Sequence, residues 1–363
     1  MSRTPKLFQP ISFRSVTARN RIAVSPMCQY SAIDGLGSDW HVQHLGARAV
    51  GGAGIVFTEA THVSAIGRIT PGCLGLYTAE HQDFMARLVK VIEMGGAVAG
   101  MQIAHAGRKA SASAPWLGSG PTAHADGGWT PWGPSAIPFG EATEVPHAMS
   151  VADIATVVGQ FAASARMARL AGVKVLEVHG AHGYLLHSFL SPISNTRNDQ
   201  YGGDLEGRSR MLFEVIDAVR AEWPDDLPLF VRLSCSDWMA GGLTIEDSVE
   251  LSRRLQATGK VDLIDCSSGG IAAKGPLIPS LHAGYQVPFA EAIRTRAGIA
   301  TGAVGLITAP EHADEILANE RADLVFIARA ILADPTWPLQ AAVSLGTSVA
   351  LPPQYQRTVI RAR

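Results

Sequence analysis

Three side chains that can donate hydrogen bonds or protons follow one apolar run of the sequence. The run Val175-Leu-Glu-Val leads into His179, and His182 and Tyr184 come directly afterwards. Two imidazoles and a phenol at the end of an apolar run are compatible with a zinc site, a structural turn or a site that delivers a proton. Residues elsewhere in the chain must separate these interpretations.

The zinc interpretation has the least support. His-x-x-His in a loop lacks the helical geometry of an HExxH motif, and no third ligand stands at a metal-site spacing. The four cysteines are far apart and form no CxxC pair: Cys28, Cys73, Cys235 and Cys266. We therefore predict no metal site and no disulfide framework.

Other reactive side chains also end or follow apolar runs. Cys28 and Tyr30 follow the first run, Gln102 and His105 end the third, and Arg232 lies within the fifth. A guanidinium inside a strand must meet an anion or strong acceptors, because an unpaired buried charge is costly. Any one of these residues could be structural, but several together favour a site.

A glycine-rich segment near the end of the chain indicates phosphate binding. Thr301-Gly-Ala-Val-Gly305 covers the end of one apolar run, and Arg329 follows the next. Small residues let backbone N–H groups approach a ligand closely, and an arginine supplies a charged clamp. The glycine motif alone fits a tight turn equally well, whereas together with Arg329 it favours phosphate.

These residues need a scaffold, and the apolar runs predict one. Eight runs recur: Arg21–Val24, Gly54–Glu59, Ala97–Gln102, Val175–His179, Leu229–Leu233, Asp262–Cys266, Ile299–Ala303 and Leu324–Ala328. Their near-continuous apolar character is typical of parallel strands covered on both faces. Between them lie segments with apolar residues at helical spacing: His81–Met94, Ala152–Ala171, Gly207–Trp223, Glu246–Gly259, Pro288–Ala297 and Pro310–Ala318.

Eight alternating units predict an α/β fold of the (β/α)8 TIM-barrel type, in which reactive groups lie at the carboxyl ends of the strands. An open doubly wound sheet is the alternative, but GxGxxG is missing after the first strand. We expect a single barrel domain over residues 1–363. An N-terminal hairpin would cap it before Arg21, residues 105–150 would form an excursion over the catalytic face, and residues 346–363 would form a C-terminal tail.

Composition limits the possible partners. The formal net charge is −2, with 17% charged and 47% hydrophobic residues, so no basic excess attracts nucleic acid or an anionic membrane. No run is long enough to cross a bilayer, and residues 1–20 lack the apolar core of a signal peptide. We therefore expect a cytoplasmic enzyme whose partners are small molecules or further copies of the chain.

An ordered series of motifs extends over nearly the whole chain. They are Ser25-Pro-Met-Cys-Gln-Tyr30, Asp39-Trp-His41, Gly52-Ala-Gly54, Glu59-Ala60, Gly67-Arg-Ile-Thr-Pro-Gly72, Gln102-Ile-Ala-His-Ala-Gly-Arg-Lys-Ala110, His179-Gly-Ala-His-Gly-Tyr184, Tyr201-Gly-Gly203, Arg208-Ser-Arg210, Thr301-Gly-Ala-Val-Gly305 and Ala328-Arg329. The series resembles the old yellow enzyme family of FMN-dependent ene-reductases, specifically its thermophilic-like bacterial subclass. So many motifs in order make the resemblance specific.

The resemblance implies a tightly bound, non-covalent FMN. Cys28 would lie near its reactive edge and tune the redox potential, and Arg232 would lie near the N1/O2 edge, where reduction places negative charge. The implied FMN-binding residues are Ser25, Pro26, Met27, Cys28, Ala60, Gln102, Arg232, Gly302, Gly305, Ala328 and Arg329. The last four would hold the ribityl phosphate, although many relatives have Gly at the position of Ala328.

The resemblance also implies NADPH or NADH as reductant and activated alkenes as substrates. His179 and His182 would bind the carbonyl oxygen, and Tyr184 would protonate the α-carbon after hydride reaches the β-carbon. Tyr30 would be a second phenol near the carbonyl end of the pocket. Arg357 would reach a neighbouring active site in a homodimer or homotetramer.

Other functions remain possible from the residues alone. Larger flavin reductases carry an iron–sulfur cluster and a further nucleotide domain, which the scattered cysteines and the chain length argue against. An aldolase or a metal-dependent hydrolase would need a Schiff-base lysine or metal ligands. Lys109 follows the third run, but no neighbour in sequence marks it as activated. His187 lies beyond the matching motif, and we expect it to have a structural or solvent role on a helix.

Overall fold

A computed structural model describes residues 4–274 and 281–358 of the chain. Its strands, in chain order, are β1 (Ile11–Phe13), β2 (Val16–Ala18), β3 (Ile22–Val24), β4 (Ile55–His62), β5 (Val98–Ala104), β6 (Trp132–Gly133), β7 (His147–Ala148), β8 (Val175–Gly180), β9 (Leu229–Ser234), β10 (Leu263–Ser267), β11 (Ala300–Ala303) and β12 (Leu324–Ile327).

Eight of these strands close into a barrel. In the order β3, β4, β5, β8, β9, β10, β11 and β12, each pairs in parallel with the next, and β12 returns to β3. Every residue of β3, β4, β8, β9, β10 and β12 is buried, because helices cover the outside and side chains fill the inside. The predicted (β/α)8 barrel is confirmed, and each predicted run overlaps one of its strands, although β4, β5, β8, β9 and β10 extend beyond the predicted carboxyl ends.

Helices surround the barrel. They are α1 (Asp39–Val50), α2 (Ala79–Met94), α3 (Val151–Leu170), α4 (Leu185–Leu190), α5 (Leu205–Glu222), α6 (Ile245–Ala257), α7 (Val287–Ala297), α8 (Pro310–Ala318), α9 (Arg329–Ala333) and α10 (Trp337–Ser344). Six match predicted helices, whereas α1, α4, α9 and α10 had not been predicted. The buried face of α1 includes His41, His44 and Arg48, which hides its helical period from a pattern of apolar residues.

The predicted N-terminal cap is present. Strands β1 and β2 form an antiparallel hairpin, and its apolar side chains pack on the residues that fill the amino-terminal end of the barrel. The ring of Phe13 meets that of Phe230 edge-on, with 5.0 Å between the centroids. The hairpin therefore closes the barrel floor, opposite the carboxyl ends of the strands.

Two segments depart from the alternation of barrel strands and helices. Between β5 and α3 the chain forms short 3₁₀ turns and the paired strands β6 and β7, where the sequence predicts an excursion. After α10 it reaches a 3₁₀ helix over Pro353–Thr358. The Arg357 side chain and residues 359–363, to which predictions apply, lie outside the described residues. Among the described helices, none combines the length and apolar character needed to cross a membrane.

We expect Phe13→Ala to lower the free energy of unfolding by about 2 kcal/mol, because it removes an aromatic contact from the barrel floor. Urea-induced unfolding measures this change. Ser12→Ala, on the exposed face of the same strand, is the control and should change stability by less than about 0.5 kcal/mol. Equal losses in the two variants would contradict a closing role for the hairpin.

Candidate active site

The three side chains that follow the strand β8 lie together at the carboxyl end of the barrel. The ring centroids of His179 and His182 are 5.1 Å apart, those of His179 and Tyr184 are 5.1 Å apart, and those of His182 and Tyr184 are 6.5 Å apart. Each pair meets close to edge-on. The predicted grouping of two imidazoles and a phenol is therefore present.

A left-handed turn places these rings. His182 has φ of 61° and Gly183 has φ of 74°, so two consecutive residues occupy a region that disfavours side chains. A Cβ atom on Gly183 would lie 2.1 Å from the carbonyl oxygen of Gly270, so only glycine fits there. The His182 N–H donates to the Ser234 hydroxyl at 2.9 Å. The last residue of β9 and the loop after β10 therefore hold the turn that follows β8.

His187 supports the same turn from behind. Its Nδ1 accepts the Gly183 N–H at 2.7 Å, and its Nε2 lies 2.9 Å from Oδ1 of Asp237, with both side chains fully buried. Burial opposes ionisation of Asp237, but hydrogen bonds from His187, Ser191 and the Leu243 amide outweigh it and lower the carboxyl pKa. His187 therefore has a structural role, which is one of the two roles expected for it.

The hydrogen bonds of the two catalytic candidates indicate which ring nitrogens are available. His179 accepts the Ala181 N–H at Nδ1 (3.2 Å), and His182 contacts the Ser267 hydroxyl through Nε2 (2.7 Å). Burial is the main cause that holds both pKa values well below the ordinary histidine value, so the rings are neutral. Within residues 4–274 and 281–358, Nε2 of His179 and Nδ1 of His182 have no hydrogen-bond partner.

Tyr184 and Tyr30 share an aromatic and sulfur-lined corner. Both pack with Cys28 against a small apolar cluster that contains Cys73, and the ring of Trp116 lies 5.8 Å from that of Tyr30. Burial raises the pKa of both phenols, and a hydrogen bond with Cys73 together with burial raises that of the Cys28 thiol. All three groups therefore keep their protons near neutral pH.

A polar network fills the centre of the barrel mouth. Gln102 donates to Glu177 at 2.7 Å, Arg232 pairs with Asp265 at 2.5 Å, and Arg232 also donates to the Ser25 hydroxyl at 2.8 Å. Burial raises the pKa of both carboxyls, and the neighbouring Asp265 raises that of Glu177 further. Asp265 is therefore the anion that compensates the buried charge of Arg232.

Sequence reasoning missed several of these residues. Asp265 interrupts the apolar run Leu263-Ile-Asp-Cys. A carboxylate within a strand is as clear a signal as the guanidinium of Arg232, with which Asp265 pairs. Ser267 gave no signal, because a serine at the end of a strand is not unusual, and Lys109 was noted without any neighbour in sequence that marks it as part of the site. Their contacts with His182 depend on the closure of the barrel.

One cavity of about 250 Å³ opens between the ends of β9, β11 and β12. Its lining includes the predicted cofactor residues Ser25, Pro26, Arg232, Gly305, Ala328 and Arg329. Among the described residues that line it, Arg232 and Arg329 carry charge and no carboxylate does. Gly305 has φ of 123°, a conformation that favours glycine. The wall is therefore suited to an anion.

Gly302 does not line this cavity. A Cβ atom at this position would lie 2.3 Å from the ring of Phe326, so the glycine leaves room for that ring inside the barrel. Its expected contact with phosphate stays a prediction, whereas its packing role is visible.

The remaining predicted cofactor residues lie around the same barrel mouth. Ala60 pairs in register with Gln102 where the ladder between β4 and β5 shifts, and the Ala60 backbone is a partner of the Cys28 thiol. Met27 packs at the edge of the main core. The described residues contain no group of three or more His, Cys, Asp or Glu side chains that could hold a metal ion.

A second cavity, of about 300 Å³, lies above Tyr184. Its walls include Tyr30 and Tyr184 from the barrel mouth, Arg108 and Lys109 after β5, and Phe139 from the excursion. Trp116 lines an adjacent cavity. The excursion thus contributes walls to a cavity that Tyr184 also lines.

Comparison with known proteins identifies the family. A model of the NADH:flavin oxidoreductase / NADH oxidase family matches residues 6–347. The chain belongs to this family. It is 48% identical to an NADPH dehydrogenase of Geobacillus sp. (strain WCH70) over 353 residues, 97% of this chain and 98% of the relative. An NADPH dehydrogenase of Bacillus licheniformis is 46% identical over 354 residues, with the same coverage of both chains. The resemblance to old yellow enzymes is confirmed, and the chain is a flavin-dependent NAD(P)H oxidoreductase.

Solved structures share the barrel. 2-Naphthoyl-CoA reductase matches with a TM-score of 0.83 at 26% identity, over 92% of this chain and 51% of its own. Histamine dehydrogenase from Rhizobium sp. 4-9 matches with a TM-score of 0.76 at 26% identity, over 92% and 47%. Morphinone reductase, at a TM-score of 0.78 and 24% identity over 97% and 93%, supports the fold. The barrel therefore accounts for most of morphinone reductase and for about half of 2-naphthoyl-CoA reductase and of histamine dehydrogenase.

His187→Leu should lower the free energy of unfolding by about 3 kcal/mol, because it removes the imidazole beside the buried Asp237 carboxylate and leaves the Gly183 N–H without its acceptor. Chemical denaturation measures the loss. His147→Leu breaks a His–Asp contact whose histidine side chain is 48% exposed, and should cost at most about 0.5 kcal/mol. Similar losses at both positions would argue against a special role for the buried pair.

Proposed function

We propose that the chain is an FMN-dependent ene-reductase, which uses NADPH or NADH to reduce the C=C bond of an α,β-unsaturated carbonyl compound or a nitroalkene. The observation that carries this proposal is the grouping of two neutral imidazoles with a protonated phenol at the barrel mouth. In such a reaction, reduced flavin supplies the hydride for the β-carbon.

The cavity at β9, β11 and β12 fits FMN. Arg232 at its inner end and Arg329 on its exposed rim offer positive charge to a flavin ring and to a phosphate, respectively. The left-handed Gly305 leaves its backbone open to close approach. We assign FMN binding to Ser25, Pro26, Met27, Cys28, Ala60, Gln102, Arg232, Gly302, Gly305, Ala328 and Arg329.

His179 and His182 bind the oxygen of the substrate in this proposal. Each neutral ring has one nitrogen engaged in the fold and the other without a partner among the described residues. Nδ1 of His179 is an acceptor, so its proton resides on Nε2, which can donate to a carbonyl oxygen. Two donors polarise the carbonyl group and make the β-carbon electrophilic.

Tyr184 supplies the proton. Its raised pKa keeps the phenol protonated until the α-carbon becomes basic, and its ring lies at the edge of the cavity above the imidazoles. The O–H bond breaks as the new C–H bond forms. We also assign a substrate contact to Tyr30, which lines the same cavity.

We also propose a homodimer or homotetramer in which Arg357 completes a neighbouring active site. Its basis is the resemblance of the tail Pro353-Gln-Tyr-Gln-Arg357 to a family ending. This tail follows α10 in the chain, and in this proposal the Arg357 side chain acts on the site of a neighbouring copy. Arg357→Ala would therefore affect a partner's site only in the assembled protein.

A spectrum of the purified protein tests the cofactor and the reaction. We expect flavin absorption bands that bleach anaerobically with NADPH and return when cyclohexenone is added, because the alkene reoxidises the flavin. A colourless protein that does not take up FMN would contradict the proposal. Reduction by NADPH without reoxidation by any activated alkene would limit the function to flavin-dependent NADPH oxidation.

Stopped-flow kinetics of the two half-reactions test Tyr184. We expect Tyr184→Phe to slow reoxidation by cyclohexenone by roughly 10²–10⁴-fold, the usual contribution of a positioned proton donor, and to leave flavin reduction by NADPH nearly unchanged. Tyr77→Phe removes a phenol that bonds the Asp34 carbonyl outside both cavities and should alter neither rate. Equal losses in both half-reactions of Tyr184→Phe would defeat the assignment.

A further inference from the structure

We propose that the ammonium group of Lys109 is a positioning residue for the proposed alkene reduction: it fixes the His182 turn and stabilises the negative charge that forms on Tyr184 as the phenol gives up its proton. The inference rests on the proposed ene-reductase function, and it adds a role for a side chain that the mechanism above does not use.

Lys109 contacts both parts of the site. Its Nζ donates to the carbonyl oxygen of His182 at 2.9 Å and to that of Gly270 at 3.2 Å, and so joins the turn after β8 to the loop after β10. The same Nζ lies 5.1 Å from the centroid of the Tyr184 ring and 4.4 Å from that of Phe139. One ammonium thus connects the oxygen-binding histidine with the proton donor.

The charge on Lys109 is not offset by a carboxylate among the described residues. No carboxylate in the part of the chain that the structure describes forms an ion pair with Lys109, whereas Lys260 and Lys274 each pair with one. Burial is the main cause that lowers the Lys109 pKa to about 8, and the neighbouring Arg108 lowers it further. A neutral, apolar side chain would fill this position at less cost, so the charge points to a function.

The proton transfer supplies that function. When Tyr184 protonates the α-carbon, its O–H bond breaks, a C–H bond forms, and the phenolate remains until water returns a proton. The low polarity that raises the Tyr184 pKa makes this phenolate unfavourable. A fixed ammonium beside the ring offsets the cost without being consumed, because it keeps its own protons throughout.

The other groups around Lys109 do not titrate near neutral pH. His182 stays neutral because its pKa is well below the ordinary value, whereas burial raises the pKa values of Tyr184 and Tyr30. The pKa of Arg108 lies at about 10, and hydrogen bonds from His124 and Thr130 lower that of Glu144 on the far wall of the cavity. Lys109 is charged below its pKa of about 8 and neutral above it, so the rate of proton donation should fall as pH rises through this value.

The test compares Lys109→Met and Lys109→Arg with the wild-type holoenzyme, by stopped flow over about pH 6 to 10. In the wild type, reoxidation by cyclohexenone should slow about tenfold across the upper part of this range. Lys109→Met should be about tenfold slower at every pH, without that decline, and Lys109→Arg should keep most of the rate and also lose the decline. Flavin reduction by NADPH should change little in either variant.

Two further measurements complete the test. Lys260→Met removes a lysine paired with Asp217 on the outer helices and should behave as the wild type. In the wild type, the NMR titration of the Lys109 side chain should have the same midpoint as the kinetic decline. A midpoint at the ordinary lysine value, or a Lys109→Met variant with the wild-type rate and pH profile, would overturn the inference alone. A wild-type enzyme that reduces flavin but is not reoxidised by cyclohexenone would overturn the proposed function and this inference with it.

Discussion

The contact between Gly183 and Gly270 is the constraint on which the site depends. Their backbones approach so closely that a Cβ atom on either glycine would meet the other loop, and both residues have positive φ. The contact joins the loops after β8 and β10 and forces the chain to turn sharply after His182. The imidazole therefore faces the barrel mouth, and Tyr184 begins the next helix beside it. A short left-handed turn between two packed loops places the two imidazoles and the phenol more firmly than a longer loop would.

The residues behind this turn are polar and yet fully buried, which is unusual outside a site. His187 and Asp237 hold its backbone from one side, and the Ser234 hydroxyl holds it from another. Each of these groups contacts a polar partner within the fold, so none requires a ligand to compensate its burial. The rings that face the cavity differ from them, because His179 and His182 each retain a nitrogen that no described residue engages. The site thus contains two kinds of polar residue: those that build the turn and those that can bind a substrate.

Much of the fold could be predicted from the sequence, because strands covered on both faces are apolar almost throughout. The helix α1 escaped prediction, since His41 and Arg48 belong to its buried face and interrupt the apolar period. The helix α4 is too short for a period, and all six of its residues are buried. Within the site, the histidines and Tyr184 were found because they are close in sequence. Asp265 and Lys109 were not found as partners, because their contacts join strands and loops that only barrel closure brings together.

Several cations at the barrel mouth have no acidic partner among the described residues. Arg232 is compensated by Asp265, but Arg329 and Lys109 have no acidic partner among the described residues, and Arg108 donates to backbone carbonyl groups. Leaving cations unpaired costs stability, and the cost is tolerated where a reaction brings negative charge. The proposed function brings negative charge to three points: the phosphate of the FMN cofactor, the oxygen of the polarised substrate and the phenolate of the proton donor. In the proposed reaction, neutral histidines bind the oxygen without adding to the positive charge, and the surrounding cations stabilise negative charge from fixed positions without being consumed.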